Sequence, residues 1–492
     1  MRAAVLPRCC FRAAVPGGRG GGVATVAPTA PMTQGLSHTG GACRMSRSAA
    51  RPPRHLLAAV RQATGHSLAT YARTVAAQAA AIGYPGMAFR REKVARWEAG
   101  VEPEMPAQLA MASLHGVDHA RVWERGWPGW LLLALPGTDI RAPFTPEATV
   151  SALDDLTSDP TRAAVLLPTD VLTDLTTRWT GHVQRQITRG MSGGYVGEEV
   201  STAIHARLTA LWHLDDSLGG APCTDSARTD LTMITRILRQ ARRTGQRTTD
   251  LHYLAAEYAR FLGWAEFDAG RPAAAHRAWH IALRAAAEVA DPAHSAYLLA
   301  NLALACVYDG QAATSAGMLA TARDLAGTRT TPLVAAMITT WQVRAAAATG
   351  DARQAARLLA RAEAEYERSR TGDDNPAWAY WMVRPSHMAE TGRAFLDLED
   401  PATAEQLLTD GLTALSPEAH RDRVLYQVWI ATAATRRGRL DAAAHATAQA
   451  LDAARSVESG RCATLLTELA AELAPHRGSR PVRAVLEQLE PA

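Results

Sequence analysis

Turn residues recur about every forty positions in the second half of the sequence, at Gly270, Gly310, Gly350, Glu399-Asp400 and Gly438. Five residues after each stands a small side chain: Ala275, Ser315, Ala355, Ala404 and Ala443. Nine after, four of the five units place a larger apolar one, Trp279, Leu319, Leu359 and Leu408, and the fifth departs with Thr447. A fixed period with fixed offsets means one supersecondary unit used repeatedly. Small residues at such offsets let two antiparallel helices approach closely, while the larger side chain fills the layer against the next pair. Alanine dominates the composition and alternating Val/Ile/Thr runs are nearly absent, so the chain reads as all-α.

Over roughly residues 250 to 460 these units resemble tetratricopeptide repeats, degenerate and lengthened beyond the usual period. Residues 161–490 are therefore expected to form a tetratricopeptide-like α-helical repeat array, a sensor and dimerisation domain. Residues 121–160 hold RVWERGWPGWLLLALPG and then Pro-rich, acidic sequence, and read as a connector. Residues 1–50, with GGRGGG and no apolar periodicity, read as a disordered basic tail. Met45 opens MSRSAARPPRHLL, and the two methionines Met1 and Met45 stand as alternative starts.

Charge is unevenly placed. The first hundred residues hold fourteen basic side chains against Glu92 and Glu98, so with a total of +4 the remaining 392 carry a net −8. A positive front end on an acidic body is the balance expected of a nucleic-acid-binding module fused to another domain. Lys93 is the sole lysine. That excludes a phosphate-binding loop ending in Gly-Lys-Ser/Thr and any other Schiff-base lysine, and no assembled catalytic site points to an enzyme. Six scattered cysteines make neither a disulfide framework nor a CxxC metal site, and no window approaches the roughly 18 apolar residues of a membrane span. The expectation is a cytoplasmic, nucleoid-associated protein with no cofactor, metal or membrane partner.

From Arg54 the pattern becomes that of a small helical bundle. HLLAAVRQATG is an amphipathic helix closed by Gly65, Ser67 caps SLATYARTVAAQAAA, and after Gly83-Tyr84-Pro85-Gly86 comes a helix through REKVARWE, ended by Gly100 and Pro103. On a helical wheel Val94 and Trp97 form its apolar stripe. Glu92, Ala95 and Arg96 point the other way, and Arg91 and Lys93 flank them. A helix that enters a major groove needs this division: cations for phosphates at the flanks, central side chains for base edges, and a reverse face for its own core.

The run REKVARWEAGVEPEMPAQLAMASLHGV resembles the second half of lambda-repressor-like helix-turn-helix domains of the xenobiotic-response-element type. There a recognition helix ends in Trp-Glu or Leu-Glu, then Gly, then Pro, then a helix closing with Gly-Val, here Trp97-Glu98, Gly100, Pro103 and Gly116-Val117. The resemblance implies a helix-turn-helix DNA-binding domain over residues 51–120 whose partner is the major groove of double-stranded DNA. Its base-reading positions fall on Arg91, Glu92 and Arg96, its phosphate-facing ones on Arg90 and Lys93, and it pairs Glu98 structurally with Arg61. Leu68 stands where the family often has a DNA-touching glutamine, and AAQAAAIGYPGM lengthens the second helix or the loop after it. LWHLDDSLGG at 211 to 220 and GWPGWLLLA at 126 to 134 are similar to segments of large actinobacterial regulators with a helical-repeat C-terminus, some of which repress sporulation or antibiotic production.

The reading is thus a DNA-binding transcriptional regulator, a homodimer, whose repeat domain binds a ligand or partner. It carries one alternative: a helical-repeat interaction scaffold with a degenerate bundle that does not touch DNA. Trp378 and Trp381, expected on one face of the first helix of a repeat, are either core or the groove for a peptide, small-molecule or protein ligand. His276 and His280, four apart, are read as structural, and Asp215-Asp216 and Asp373-Asp374 as loop or cap acids.

Overall fold

A computed structural model describes residues 53–88, 90–135, 140–158, 164–189, 198–246, 248–327, 330–369 and 374–489. The stretch expected as a basic tail lies outside them. Its described elements are all helical, and no strand occurs among the described residues. Five short helices come first: α1 (Leu56–Ala63), α2 (Leu68–Ala81), α3 (Arg91–Glu98), α4 (Met105–Leu114) and α5 (His119–Arg125). Four longer ones follow: α6 (Pro146–Ser158), α7 (Thr169–Arg189), α8 (Glu198–Leu218) and α9 (Thr224–Arg243). Then come hairpins: α10 (Thr249–Asp268) with α11 (Pro272–Ala287), α12 (Pro292–Tyr308) with α13 (Ala312–Ala326), and α14 (Pro332–Ala348) with α15 (Ala352–Arg368). The series continues with α16 (Arg384–Asp397) and α17 (Pro401–Ala414), α18 (His420–Arg436) and α19 (Leu440–Ala454), and a last pair, α20 (Gly460–Leu473) and α21 (Arg480–Leu489). This is a tetratricopeptide-like array of helical hairpins.

One turn closes five of the hairpins. Gly270, Gly310, Gly350 and Gly438 adopt φ between 71° and 78°. At each, the glycine N–H donates to the carbonyl three residues back, and the following N–H reaches five back, as in Arg271 to Glu266, Gln311 to Cys306, Asp351 to Ala346 and Arg439 to Ala434. These are Schellman caps, which satisfy the otherwise orphaned last carbonyls of the first helix and reverse the chain in three residues. Proline in the first turn starts α11, α12, α14, α16 and α17, where its missing N–H costs nothing. The small residues of the period are all buried, Ala275, Ser315, Ala404 and Ala443 completely, so the two helices of each hairpin meet where the sequence has no side chain in the way.

Glu399 makes the same turn with φ 59° and the same two hydrogen bonds, to Leu396 and, through Asp400, to Phe395. An L-residue in the left-handed region is strained by about 1–2 kcal/mol, and glycine is not. Glu399→Gly is therefore expected to raise stability by about 1 kcal/mol, read as a higher urea midpoint at unchanged slope. A midpoint that stays or falls refutes it.

The N-terminal bundle is not an appendage. One apolar cluster runs from Leu56 through Val94, Trp97 and Trp130 to Met382, and a second spans Ala389 to Leu486. Residues 121–160, expected as a connector, are largely helical: a 3-10 turn at Gly129–Leu133 buries Trp130, whose Nε1 donates to Gln108 Oε1 at 3.1 Å, and α6 packs on α9 and α11. Gln108 is in turn held by Pro103 O and Glu102.

Candidate functional site

The first helices of the hairpins line one open-mouthed cavity. Phe261, Asn301, Trp341, Glu390 and Trp429 stand nine residues before the five turns, one from each of α10, α12, α14, α16 and α18, and all five face the cavity. A single register position thus forms an inner stripe, as the repeat geometry requires. Trp212 from α8, Trp264 from α10 and the 3-10 turn Ala377–Trp381 complete the aromatic wall, so six of the chain's twelve tryptophans surround one space. The rings are ordered by stacking. Tyr297 lies on Trp378 at 3.5 Å and 3°, Trp341 on Trp381 at 5.8 Å, and Trp212 on Tyr380 at 5.7 Å.

Arg421, at the start of α18, is the electrostatic centre. Its Nη1 donates to Asp215 Oδ2 at 2.7 Å, and Asp216, Asp268 and Asp422 lie within 3.6–4.0 Å. Burial pushes the Asp215 and Asp216 carboxyls up against the pull of Arg421. Burial also opposes the charge of Arg421, yet Asp215 and Asp268 hold it protonated well above the ordinary arginine range. Asp268 accepts from Gly220 N at 2.9 Å and from Ser459 Oγ at 3.0 Å, and Glu458 N donates to Leu218 O. The loop before α20 is therefore docked on the α8–α9 turn and the first hairpin. Gly220 is needed there, since a Cβ would sit 2.6 Å from Ala265 O.

This places LWHLDDSLGG and corrects the reading of Asp215-Asp216. They are neither loop acids nor caps, but lie in the last turn of α8, with Asp215 buried against Arg421 and Asp216 accepting from Tyr380 Oη at 2.8 Å. Their partner is 206 residues away, which no local spacing reveals. Trp378 and Trp381 also differ from expectation in element. They belong to the 3-10 turn before α16, because Pro385 starts that helix and the chain must turn ahead of it. Trp378 is buried, Trp381 half-buried, and both line the cavity. His276 Nε2 lies 2.7 Å from Asp309 Oδ2, and burial pushes its neighbour His280 down to about 3. No group of three or more metal-ligating side chains occurs among the described residues. Of Asp373-Asp374, Asp373 lies outside the described residues.

In the N-terminal bundle, Val94 and Trp97 of α3 are buried while Arg90, Arg91, Glu92 and Arg96 are exposed. Arg91 Nε donates to Glu92 Oε1 at 3.0 Å, and Lys93 lies half-buried with its ammonium 5.6 Å over the Trp97 ring. Arg61 grips Glu98 with two hydrogen bonds, 2.5 and 3.1 Å, and donates a third to His66 O. That fork anchors the C-terminal end of α3 to α1. Gly100, at φ 99°, closes α3 with a Schellman bond from Val101 N to Arg96 O. The residues of AAQAAAIGYPGM extend α2 to Ala81 and place residues 82–87 in the link toward α3.

No protein-family model matches the chain, and no curated protein matches it. Among solved structures it is similar to a Rap protein crystallised in complex with competence and sporulation factor, at 15% identity and a TM-score of 0.42, over 65% of this chain and 86% of that one. No helix among the described residues is long and apolar enough to cross a membrane.

Proposed function

We propose that the chain is a helical-repeat receptor whose array takes a small molecule or a short peptide segment into the aromatic cavity. The observation that carries this reading is the inner stripe: one register position from each of five hairpins, with six tryptophans, converging on one space. A concave, mostly apolar cavity with a few convergent charged groups is the ordinary form of a ligand site. Native mass spectrometry of the full chain tests it. The full chain is needed because the N-terminal bundle and the array share one core. The wild type is expected to carry a co-purified mass that Trp381→Ala has lost, the variant's fold being checked by circular dichroism. A wild type without adduct, whose melting temperature no member of a metabolite and peptide panel shifts, overturns the reading.

A second reading concerns α3. The exposed Arg90, Arg91, Glu92 and Arg96 stand over a buried Val94–Trp97 face, anchored by the Arg61–Glu98 fork, and this supports a helix offered to the major groove of DNA. On this reading the array senses and the bundle responds. Substituting alanine at Arg91, Glu92 and Arg96 together is expected to abolish sequence preference in mobility shifts on a selected site. An unchanged preference sinks the DNA-binding role and leaves the receptor as an interaction scaffold.

A further inference from the structure

Resting on the receptor reading, we infer that the cavity takes an organic cation, an ammonium or guanidinium group held against ring faces with Asp216 and Asp422 as its counter-ions. Which charges the wall has left to offer decides this. Its arginines are already engaged by rings or carboxylates. Arg260 is bonded to Glu257 and lies over Tyr297 and Trp212, at 5.2 and 6.0 Å. Arg461, half-buried, is spread over Trp264, Phe267 and Tyr308 at 5.4–5.9 Å, and the lining Glu390 is paired with Arg344 from behind the wall. Arg421, 8% exposed, is shared among four aspartates, and one guanidinium cannot neutralise four carboxylates.

What stays open is acidic. Asp216 and Asp422 keep 38% and 36% exposure, against 8% for Arg421, and Arg421 reaches them only at 3.6 and 3.9 Å. Tyr380, itself 41% exposed, donates to Asp216 and stacks on Trp212, so the open corner joins carboxylates to ring faces. An anion there would meet two carboxylates with the nearest guanidinium already engaged. A neutral flat ligand would strip water from both carboxylates and give nothing back. A cation meets both parts at once: charge on the aspartates, and the negative faces of the rings around it. The wall already holds Arg260 and Arg461 over ring faces in this way.

The source of the cation can be a free amine or the basic side chain of a peptide, and two probe pairs separate them. Calorimetry on the full chain compares benzyltrimethylammonium with its neutral isostere neopentylbenzene, and N-acetylarginine amide with the citrulline analogue. Whichever source is right, its cation is expected to bind roughly tenfold or more tightly than its neutral partner. The double variant Asp216→Asn, Asp422→Asn is expected to remove that preference while keeping the wild-type circular dichroism spectrum, since both side chains are partly exposed. Equal binding of cation and neutral partner, a preference that survives the double variant, or no binding of any probe at millimolar concentration overturns the cation assignment. Neutral probes that bind and are lost in Trp381→Ala would leave the receptor reading standing without it. If no probe binds, that reading rests on the co-purification result alone.

Discussion

Replacing Arg421 by methionine is expected to destabilise the chain by about 3–5 kcal/mol and to split its unfolding into two transitions, the C-terminal hairpins melting first. The magnitude follows from what stays behind. Asp215 and Asp268 are buried, and removing one partner of a buried ion cluster leaves charges with neither water nor counter-ion. The split follows from the apolar packing, whose two large clusters end and begin between Met382 and Ala389, with only a small third one of Val343, Ala346, Ala347, Ala355 and Ala394 bridging them. Arg421, on the side of the second cluster, is bonded to α8, and with Ser459 and Glu458 it forms the polar attachment of the last hairpins to α8 and the first hairpin. Burial already raises the Asp215 carboxyl, and without Arg421 it rises further. A carboxyl whose folded value lies above its unfolded one contributes stability below the unfolded value and loses it as pH rises through the folded one. The variant should thus come closest to wild type near pH 4 and fall furthest behind near pH 7. Adding Asp215→Asn should recover part of the loss. Urea unfolding followed by tryptophan fluorescence and circular dichroism reads both effects. A single transition with a loss below about 1 kcal/mol, the range of a surface pair, would show that the cluster holds nothing together.

The array was legible because its rules are local. A glycine, a small residue five later and a large one nine later are set by one hairpin's own backbone, and even Glu399 in the glycine's place is found by register. The helical wheel of α3 worked for the same reason: Val94 and Trp97 against Glu92 and Arg96 is a property of eight consecutive residues. The cavity was not legible in that way. Arg421 meets Asp215 across 206 positions, and Tyr297 meets Trp378 across two hairpins, contacts that only the stacking of repeats creates. One signal did lie in the sequence. Counting nine back from each turn, rather than forward, picks out Phe261, Asn301, Trp341, Glu390 and Trp429, the inner stripe itself. Trp378 and Trp381 were visible as aromatics, but Pro385 decided that they sit on a turn ahead of the helix, where they close the wall.

The same forward and backward offsets meet at Gly263, where replacement by alanine is expected to cost several kcal/mol. Gly263 stands seven residues before the first turn and Trp279 nine after it, so the two face each other across the α10–α11 hairpin. A Cβ on Gly263 would lie 2.6 Å from Trp279 Nε1, 2.7 Å from Cδ1 and 2.9 Å from Cε2. The indole cannot step aside. It is 1% exposed, in contact with Phe267, and its Nε1 donates to Arg260 O at 3.1 Å. Overpacking a rigid core costs about 1–3 kcal/mol, and breaking the indole bond would leave a buried donor unpaired for about 1–3 kcal/mol more. The hairpin repeats the arrangement at Gly392, whose Cβ would lie 2.7 Å from Leu408 Cγ, but a leucine can rotate and an indole pinned by a hydrogen bond cannot. Gly392→Ala should therefore cost less than Gly263→Ala. Gly317 supplies the control: it lies in α13 with open space around it, and Gly317→Ala should gain about 1 kcal/mol from helix propensity. Measured by urea denaturation, the order Gly317→Ala above wild type, then Gly392→Ala, then Gly263→Ala lowest is the signature of close helix packing. A Gly263→Ala variant as stable as wild type would mean that the two helices do not approach as closely as the small residues of the repeat imply.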